Sequence, residues 1–151
     1  MLKTLFIKNY ALIDELTVNF NDGLTIITGE TGAGKSILLG GLSLVLGKRA
    51  DLSQVKNKRD KCILEGVFDI AKYNLKSLFK TLDLDYDVQT IIRREILPSG
   101  KSRAFINDSP VTLDSLSELS SQLIDIHSQQ QTQQLLQDDY QFKVIDALAK
   151  N

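Results

Sequence analysis

Residues Gly29-Glu30-Thr31-Gly32-Ala33-Gly34-Lys35-Ser36 place three glycines ahead of a Lys-Ser pair, a spacing suited to holding phosphate. Glycine admits backbone torsions and a close anion approach that a Cβ would obstruct. The backbone N–H groups of such a loop, backed by a helix N-terminus, form a nest of donors for phosphate oxygens. There Lys35 reaches the β- and γ-phosphates and the Ser36 hydroxyl coordinates Mg²⁺, which makes a nucleoside triphosphate the expected ligand. The expected contact set runs from Gly29, Glu30, Thr31, Gly32, Ala33, Gly34 and Lys35 to Ser36 and Ile37.

The motif needs a strand before it and a helix after it. Leu24-Thr25-Ile26-Ile27-Thr28 reads as a buried strand, and residues 37–46 read as an apolar helix. Two earlier runs, 5–10 and 16–20, read as strands, and Asn21-Asp22-Gly23 is a turn signal. Three strands ahead of the first long helix suggest an antiparallel flap laid against a nucleotide-binding core. Gly40-Gly41 inside the helix implies close packing on a sheet, because each glycine costs about 1 kcal/mol of helix propensity.

Residues 48–61 turn polar and read as a loop or a short helical excursion. A strand is expected over 63–69 and an amphipathic helix over 75–84. Strands at 90–97 and 102–106, joined by Pro98-Ser99-Gly100-Lys101, make a hairpin that residues 107–110 close. Thr112 is an N-cap for a helix over 113–121, with Leu113, Leu116 and Leu119 on one face. Residues 123–127 read as a further core strand, followed by a glutamine-rich run. From Asp138 the apolar spacing is helical again.

The chain has 151 residues, 42% hydrophobic and 25% charged, which suits one soluble globular unit with a real core. A single cysteine, Cys62, excludes an internal disulfide and is expected as a small core residue. No apolar stretch reaches the roughly 18 residues of a membrane span, and the N-terminus lacks a signal-peptide pattern, so a cytoplasmic setting without membrane contact is expected. With a net charge of −1, any attraction for nucleic acid must be local. Residues 48–61 supply a local patch: Lys48, Arg49, Lys56, Lys58, Arg59 and Lys61 against Asp51 and Asp60. The patch reads as a DNA-contacting surface or as a solvated loop. Arg93, Arg94 and Arg103 lie on the hairpin, where alternation exposes some of them, and Glu95 is available for ion pairing.

Phosphate-binding loops that hydrolyse ATP work with a second motif, a strand of about four apolar residues ending in Asp and often Glu. The nearest match, Leu123-Ile124-Asp125, has only two apolar residues and no following Glu; Val144-Ile145-Asp146 sits in helical spacing. A Leu-Ser-Gly-Gly signature is also missing. Either the chain is part of a larger enzyme, or it uses other catalytic parts, as a small phosphoryl-transferring kinase would. A nucleotide-gated interaction module is a third class.

Several blocks carry a family resemblance. They are Leu5-Phe6-Ile7-Lys8-Asn9-Tyr10-Ala11-Leu12-Ile13, the phosphate loop with its flanks, and Leu46-Gly47-Lys48-Arg49-Ala50-Asp51. Gly100-Lys101-Ser102-Arg103-Ala104-Phe105-Ile106-Asn107 and Ile124-Asp125-Ile126-His127-Ser128-Gln129 continue the series. In order and along nearly the whole chain, they resemble the RecN family of bacterial DNA repair proteins.

The resemblance implies an α/β P-loop NTPase of the ABC/SMC-head type. It implies the N-terminal lobe of such a head, a mixed sheet with an antiparallel flap and the P-loop helix, incomplete without a C-terminal half-head. Residues 1–137 would be that lobe, and 138–151 would begin a helix leading into a coiled-coil arm. The remaining catalytic motifs would lie in the other half, and two heads of a homodimer would sandwich ATP and Mg²⁺ while acting on DNA ends or duplex. Gln129 matches the family's Q-loop glutamine, which contacts Mg²⁺ and the attacking water. The family's His-Gly-Gln here reads His127-Ser128-Gln129. Arg49 matches an arginine that senses DNA or nucleotide state in SMC-like heads. A nucleoid-associated, cytoplasmic location follows from the same resemblance.

Overall fold

The computed structural model describes residues 2–20 and 33–124, with side chains over 2–20 and 36–123. Two strands come first, β1 (Leu2–Tyr10) and β2 (Ile13–Asn19), and the helix α1 spans Ala33–Val45. After a 3₁₀ turn at Leu52–Gln54 come β3 (Cys62–Asp69), the short α2 (Lys76–Thr81) and β4 (Gln89–Ile96). The described chain ends with β5 (Ser102–Ile106), β6 (Ser109–Val111) and α3 (Leu113–Ile124). One sheet of six strands results, in the order β2-β1-β3-β4-β5-β6, with every pairing among the described residues antiparallel. The expected strand at 24–28 lies outside the described residues.

Period-two patterning decides which face is dry. Along β3, Cys62, Leu64, Gly66 and Phe68 are buried while Ile63, Glu65, Val67 and Asp69 are half-buried. Their partners Leu5, Ile7, Ile92, Ile96, Ala104 and Ile106 extend the same buried face across the sheet. Cys62 is fully buried in it, as expected for a core residue, and burial pushes its thiol pKa up to about 11. Onto this face α1 lays Leu38, Leu39, Leu44 and Val45. Gly41 makes the contact close: a Cβ there would stand 3.1 Å from Ile7 Cδ1 and 3.2 Å from Leu64 Cδ2. Gly40 is held as tightly, because a Cβ would lie 2.6 Å from the Tyr10 hydroxyl. The helical glycines are therefore the means by which α1 sinks onto the sheet.

Two expectations need correction. Residues 107–110 do not simply close the hairpin. Asn107 and Asp108 both adopt positive φ, 48° and 67°, the geometry of a tight hairpin turn, and the chain returns as β6 to pair with β5. A three-residue edge strand carrying Pro110 has little sequence signal of its own. The expected strand at 123–127 fails at its first two residues, since α3 runs through Ile124. Leu116, Leu119 and Leu123 are all buried, so Leu123 continues the helical stripe, and no breaker intervenes. Thr112 caps α3 as expected, its Oγ1 accepting from the Ser115 N–H at 3.1 Å.

Candidate functional site

The helix α1 begins at Ala33, which puts Gly34, Lys35 and Ser36 in its first turn. The first N–H groups of a helix have no partner within it, and the helix dipole adds partial positive charge there. A phosphate is the natural acceptor at such a terminus. Ser36 is exposed and Ile37 half-buried, so the hydroxyl end of the motif opens to solvent while the helix behind it enters the core. These features fit a triphosphate with its Mg²⁺. Gly29, Glu30, Thr31 and Gly32 lie outside the described residues, as do Asp125, His127, Gln129 and the segment 138–151 in which a helix is expected.

The far end of α1 is built in more detail. Gly47, at φ 111°, ends the helix: its N–H donates to the Leu44 carbonyl at 3.1 Å and the Lys48 N–H donates to the Ser43 carbonyl at 3.0 Å. Such paired bonds around a left-handed glycine satisfy the last helical carbonyls. A Cβ on Gly47 would meet Ser117 Oγ at 2.7 Å, so α3 also presses on this turn. Arg94 of β4 adds a charged cap, with Nη1 donating to the Leu44 carbonyl at 2.6 Å and to the Lys48 carbonyl at 2.8 Å. The Arg94 side chain is among the largest that the core buries fully, and desolvation lowers its pKa.

The basic segment that follows is held firmly. Asn9, at φ 58°, takes the Asn57 N–H on Oδ1 at 2.7 Å and donates Nδ2 to the carbonyls of Asn57 at 2.9 Å and Asp60 at 3.1 Å. The Ala11 N–H donates to the Gln54 carbonyl at 2.6 Å, and Asp51 caps the 3₁₀ turn through the Ser53 N–H at 2.9 Å. Lys56 pairs with Asp14 at 2.6 Å, and Lys61 lies 3.7 Å from Glu95. Lys48, Arg49, Lys58 and Arg59 are exposed and form no salt bridge among the described residues. Four cations thus face solvent on a basic ledge, Lys48 and Arg49 just past the C-terminal end of α1 and Lys58 and Arg59 in the loop that Asn9 holds.

Alternation splits the hairpin arginines. Arg93 and Arg103 share the outer sheet face with Glu95, at 2.8 Å and 2.9 Å, and Arg93 also reaches Glu65 at 3.5 Å. Burial pushes the Glu95 carboxyl up, but the Arg93 hydrogen bond and the charges of Arg93, Lys61 and Arg103 outweigh it and leave the pKa lowered. Arg94 points to the opposite, inner face. With two arginines bound to Glu95 and the third buried, none is placed as a lid over a nucleotide, and the kinase alternative is not favoured. Sequence reasoning missed the role of Arg94, although its position in the inward series Thr90, Ile92, Arg94, Ile96 was a usable signal.

A family model described as "AAA domain" matches residues 4–150. Among curated relatives, the DNA repair protein RecN of Xylella fastidiosa (strain Temecula1) is 38% identical over 100% of the chain and 27% of its own length. RecN of Bacillus subtilis (strain 168) is 40% identical over 99% of the chain and 26% of its length. RecN of Vibrio cholerae is 41% identical over 99% and 27%. The chain therefore spans about 27% of the length of such relatives, as the resemblance implied.

Solved structures agree on the fold. An Smc head bound to the C-winged helix domain of ScpA superposes with a TM-score of 0.62 at 18% identity, covering 85% of this chain and 42% of that one. A structure from work on ATP-driven dimerization and DNA-stimulated activation of SMC ATPases gives 0.61 at 16% identity, covering 97% and 98%. The recombination mediator protein RecF with ATP gives 0.53 at 19% identity, covering 74% and 27%. The fold is the P-loop ATPase fold of SMC-type heads. Among the described residues no helix is long and apolar enough to cross a membrane.

Proposed function

From the premise that this chain belongs to the AAA domain family, we propose that it is the ATP-binding half of a RecN-like ATPase head. That head acts in DNA double-strand-break repair and recombination, and ATP-driven engagement of two heads is coupled to DNA binding. The observation that carries the reading is the Gly34-Lys35-Ser36 segment in the first turn of a helix sunk onto a sheet. Similarity to RecN proteins along the full chain supports the biological setting.

In this reading the N–H groups of Gly29 to Ser36 donate to phosphate oxygens and the Lys35 ammonium bridges the β- and γ-phosphates. Mg²⁺, when bound, neutralises phosphate charge, and Ser36 with Gln129 would hold it. Gln129 also orients water for in-line attack on the γ-phosphorus, so Lys35 and Gln129 are the catalytic residues this chain contributes. The general base and signature motif belong to the C-terminal half-head and to the second head of a homodimer. Catalysis is then positioning and charge stabilisation, with the site completed by head closure.

Lys48, Arg49, Lys58 and Arg59 form the DNA-facing ledge, and Arg49, beside the end of α1, links nucleotide state to DNA state. A nucleoid-associated place in the cytoplasm suits this work. Turnover assays test the division of labour: the 151-residue chain should bind ATP yet hydrolyse it negligibly. Robust hydrolysis by this chain alone, abolished by Lys35→Ala, would overturn the half-site reading.

A further inference from the structure

Arg94 is the one charged side chain in the fully buried core of the described residues. No carboxylate pairs with it among them; the acids of its neighbourhood, Glu95 and Glu65, lie on the opposite face of the sheet. Its partners are carbonyl oxygens, Leu44 at 2.6 Å and Lys48 at 2.8 Å, with Ser102 Oγ at the outer limit of 3.5 Å. A buried guanidinium without a counter-ion is costly, and its Nε makes no hydrogen bond. An apolar residue could fill the same space beside Ile92 and Ile96. The cost is offset where the charge meets the negative end of a helix dipole, here the end of α1.

The two carbonyls belong to different parts of the proposed site. Leu44 lies in the last turn of α1, whose first turn carries Gly34, Lys35 and Ser36 about 12–15 Å away at 1.5 Å per residue. The Leu44 carbonyl keeps the Gly47 N–H without Arg94, so the second bond is not needed to satisfy that atom. Lys48 directly precedes Arg49, and its carbonyl bonds to Arg94. One guanidinium nitrogen, Nη1, therefore ties β4 to the axial position of the phosphate helix and to the backbone that presents Arg49. A lysine keeps a multi-donor nitrogen but lacks the planar group and the second nitrogen that lies near Ser102 Oγ, and so reproduces this only in part.

We propose that Arg94 is a positioning residue of the nucleotide site, fixing α1 and the Lys48-Arg49 backbone against the sheet so that nucleotide binding at one end is felt at the other. This rests on the nucleotide-site reading above. The test compares ATP affinity and amide exchange in the parent chain, Arg94→Met, Arg94→Lys, Lys35→Ala and Phe79→Leu. The last is a core change in α2, away from α1, chosen to match the loss of melting temperature.

Arg94→Met should weaken ATP binding about tenfold and Arg94→Lys less, while Phe79→Leu stays within about twofold of the parent. Exchange at Gly47 and Lys48, whose N–H groups are bonded at the end of α1, should quicken in Arg94→Met and not in Phe79→Leu. Parent-like exchange at those amides in Arg94→Met overturns the proposal, as does equal loss of affinity in Arg94→Met and Phe79→Leu. If Lys35→Ala binds ATP like the parent, the nucleotide-site reading fails instead. Quickened exchange in Arg94→Met would then still support the tie between β4 and α1.

Discussion

Asn9 and Asn57 clasp each other in both directions. The Asn57 N–H donates to Asn9 Oδ1 at 2.7 Å, and Asn9 Nδ2 returns a bond to the Asn57 carbonyl at 2.9 Å. Asn9 also holds φ 58°, a torsion that asparagine tolerates better than most residues. The end of β1 thereby sets the shape of the basic ledge. Asn9→Leu, close in size, removes these bonds and strains the backbone, and should cost about 2–4 kcal/mol in urea or thermal unfolding. Its DNA affinity should fall as well, although no charge has changed.

Charge on the ledge itself should act through salt. With Lys58→Ala and Arg59→Ala combined, DNA binding should weaken for all sequences alike. The slope of log affinity against log salt should fall by about 2, near 0.9 per lost phosphate contact. The fold should be unaffected, since both side chains are exposed and form no salt bridge among the described residues. An unchanged slope in a salt titration would remove the ledge from the DNA contact.

Much of this arrangement was legible in the residues. The glycine spacing, the apolar helix after it and the alternation of β3 each follow from one dominant local signal. The roles of Gly40 and Gly41 were also visible, because two glycines in a helix need a packing reason. What escaped depended on partners distant in sequence. Arg94 looked like a hairpin arginine until β4 was set beneath α1, and Asn9 looked like an ordinary strand residue until the 56–61 loop came against it. Leu123 reads as a strand residue from its apolar neighbours, although its spacing from Leu116 and Leu119 is helical and the packing follows that spacing.

Packing of α1 gives a third prediction. Gly41→Leu forces a side chain into the space between Ile7 and Leu64, where even a Cβ is tight. Overpacking of this kind costs about 1–3 kcal/mol, more than the roughly 1 kcal/mol gained in helix propensity. Melting temperature should therefore fall, and ATP affinity with it, since α1 must lift from the sheet. A stabilised Gly41→Leu would mean that α1 packs elsewhere.

The Glu95 cluster predicts a pH dependence. Its folded pKa lies below the ordinary value of 4.5, so the unfolded chain takes up the proton first as pH falls. The stabilisation is present above about pH 4.5 and is lost as pH drops through the folded value. Glu95→Gln should cost about 1–2 kcal/mol near neutrality, with the gap to the parent closing in urea melts below pH 4.5. Cys62 behaves oppositely at the alkaline end: raised from 9.0 to about 11, it stabilises the fold below pH 9 and progressively less up to pH 11.

The central claim is that the Gly29–Ser36 loop binds ATP through Lys35, and a calorimetric titration of Mg²⁺-ATP into the 151-residue chain tests it most directly. The account predicts saturable one-to-one binding that Lys35→Ala reduces at least about tenfold while the thermal melt stays the same. Parent-like binding by Lys35→Ala, or no binding by a folded parent chain, would contradict it.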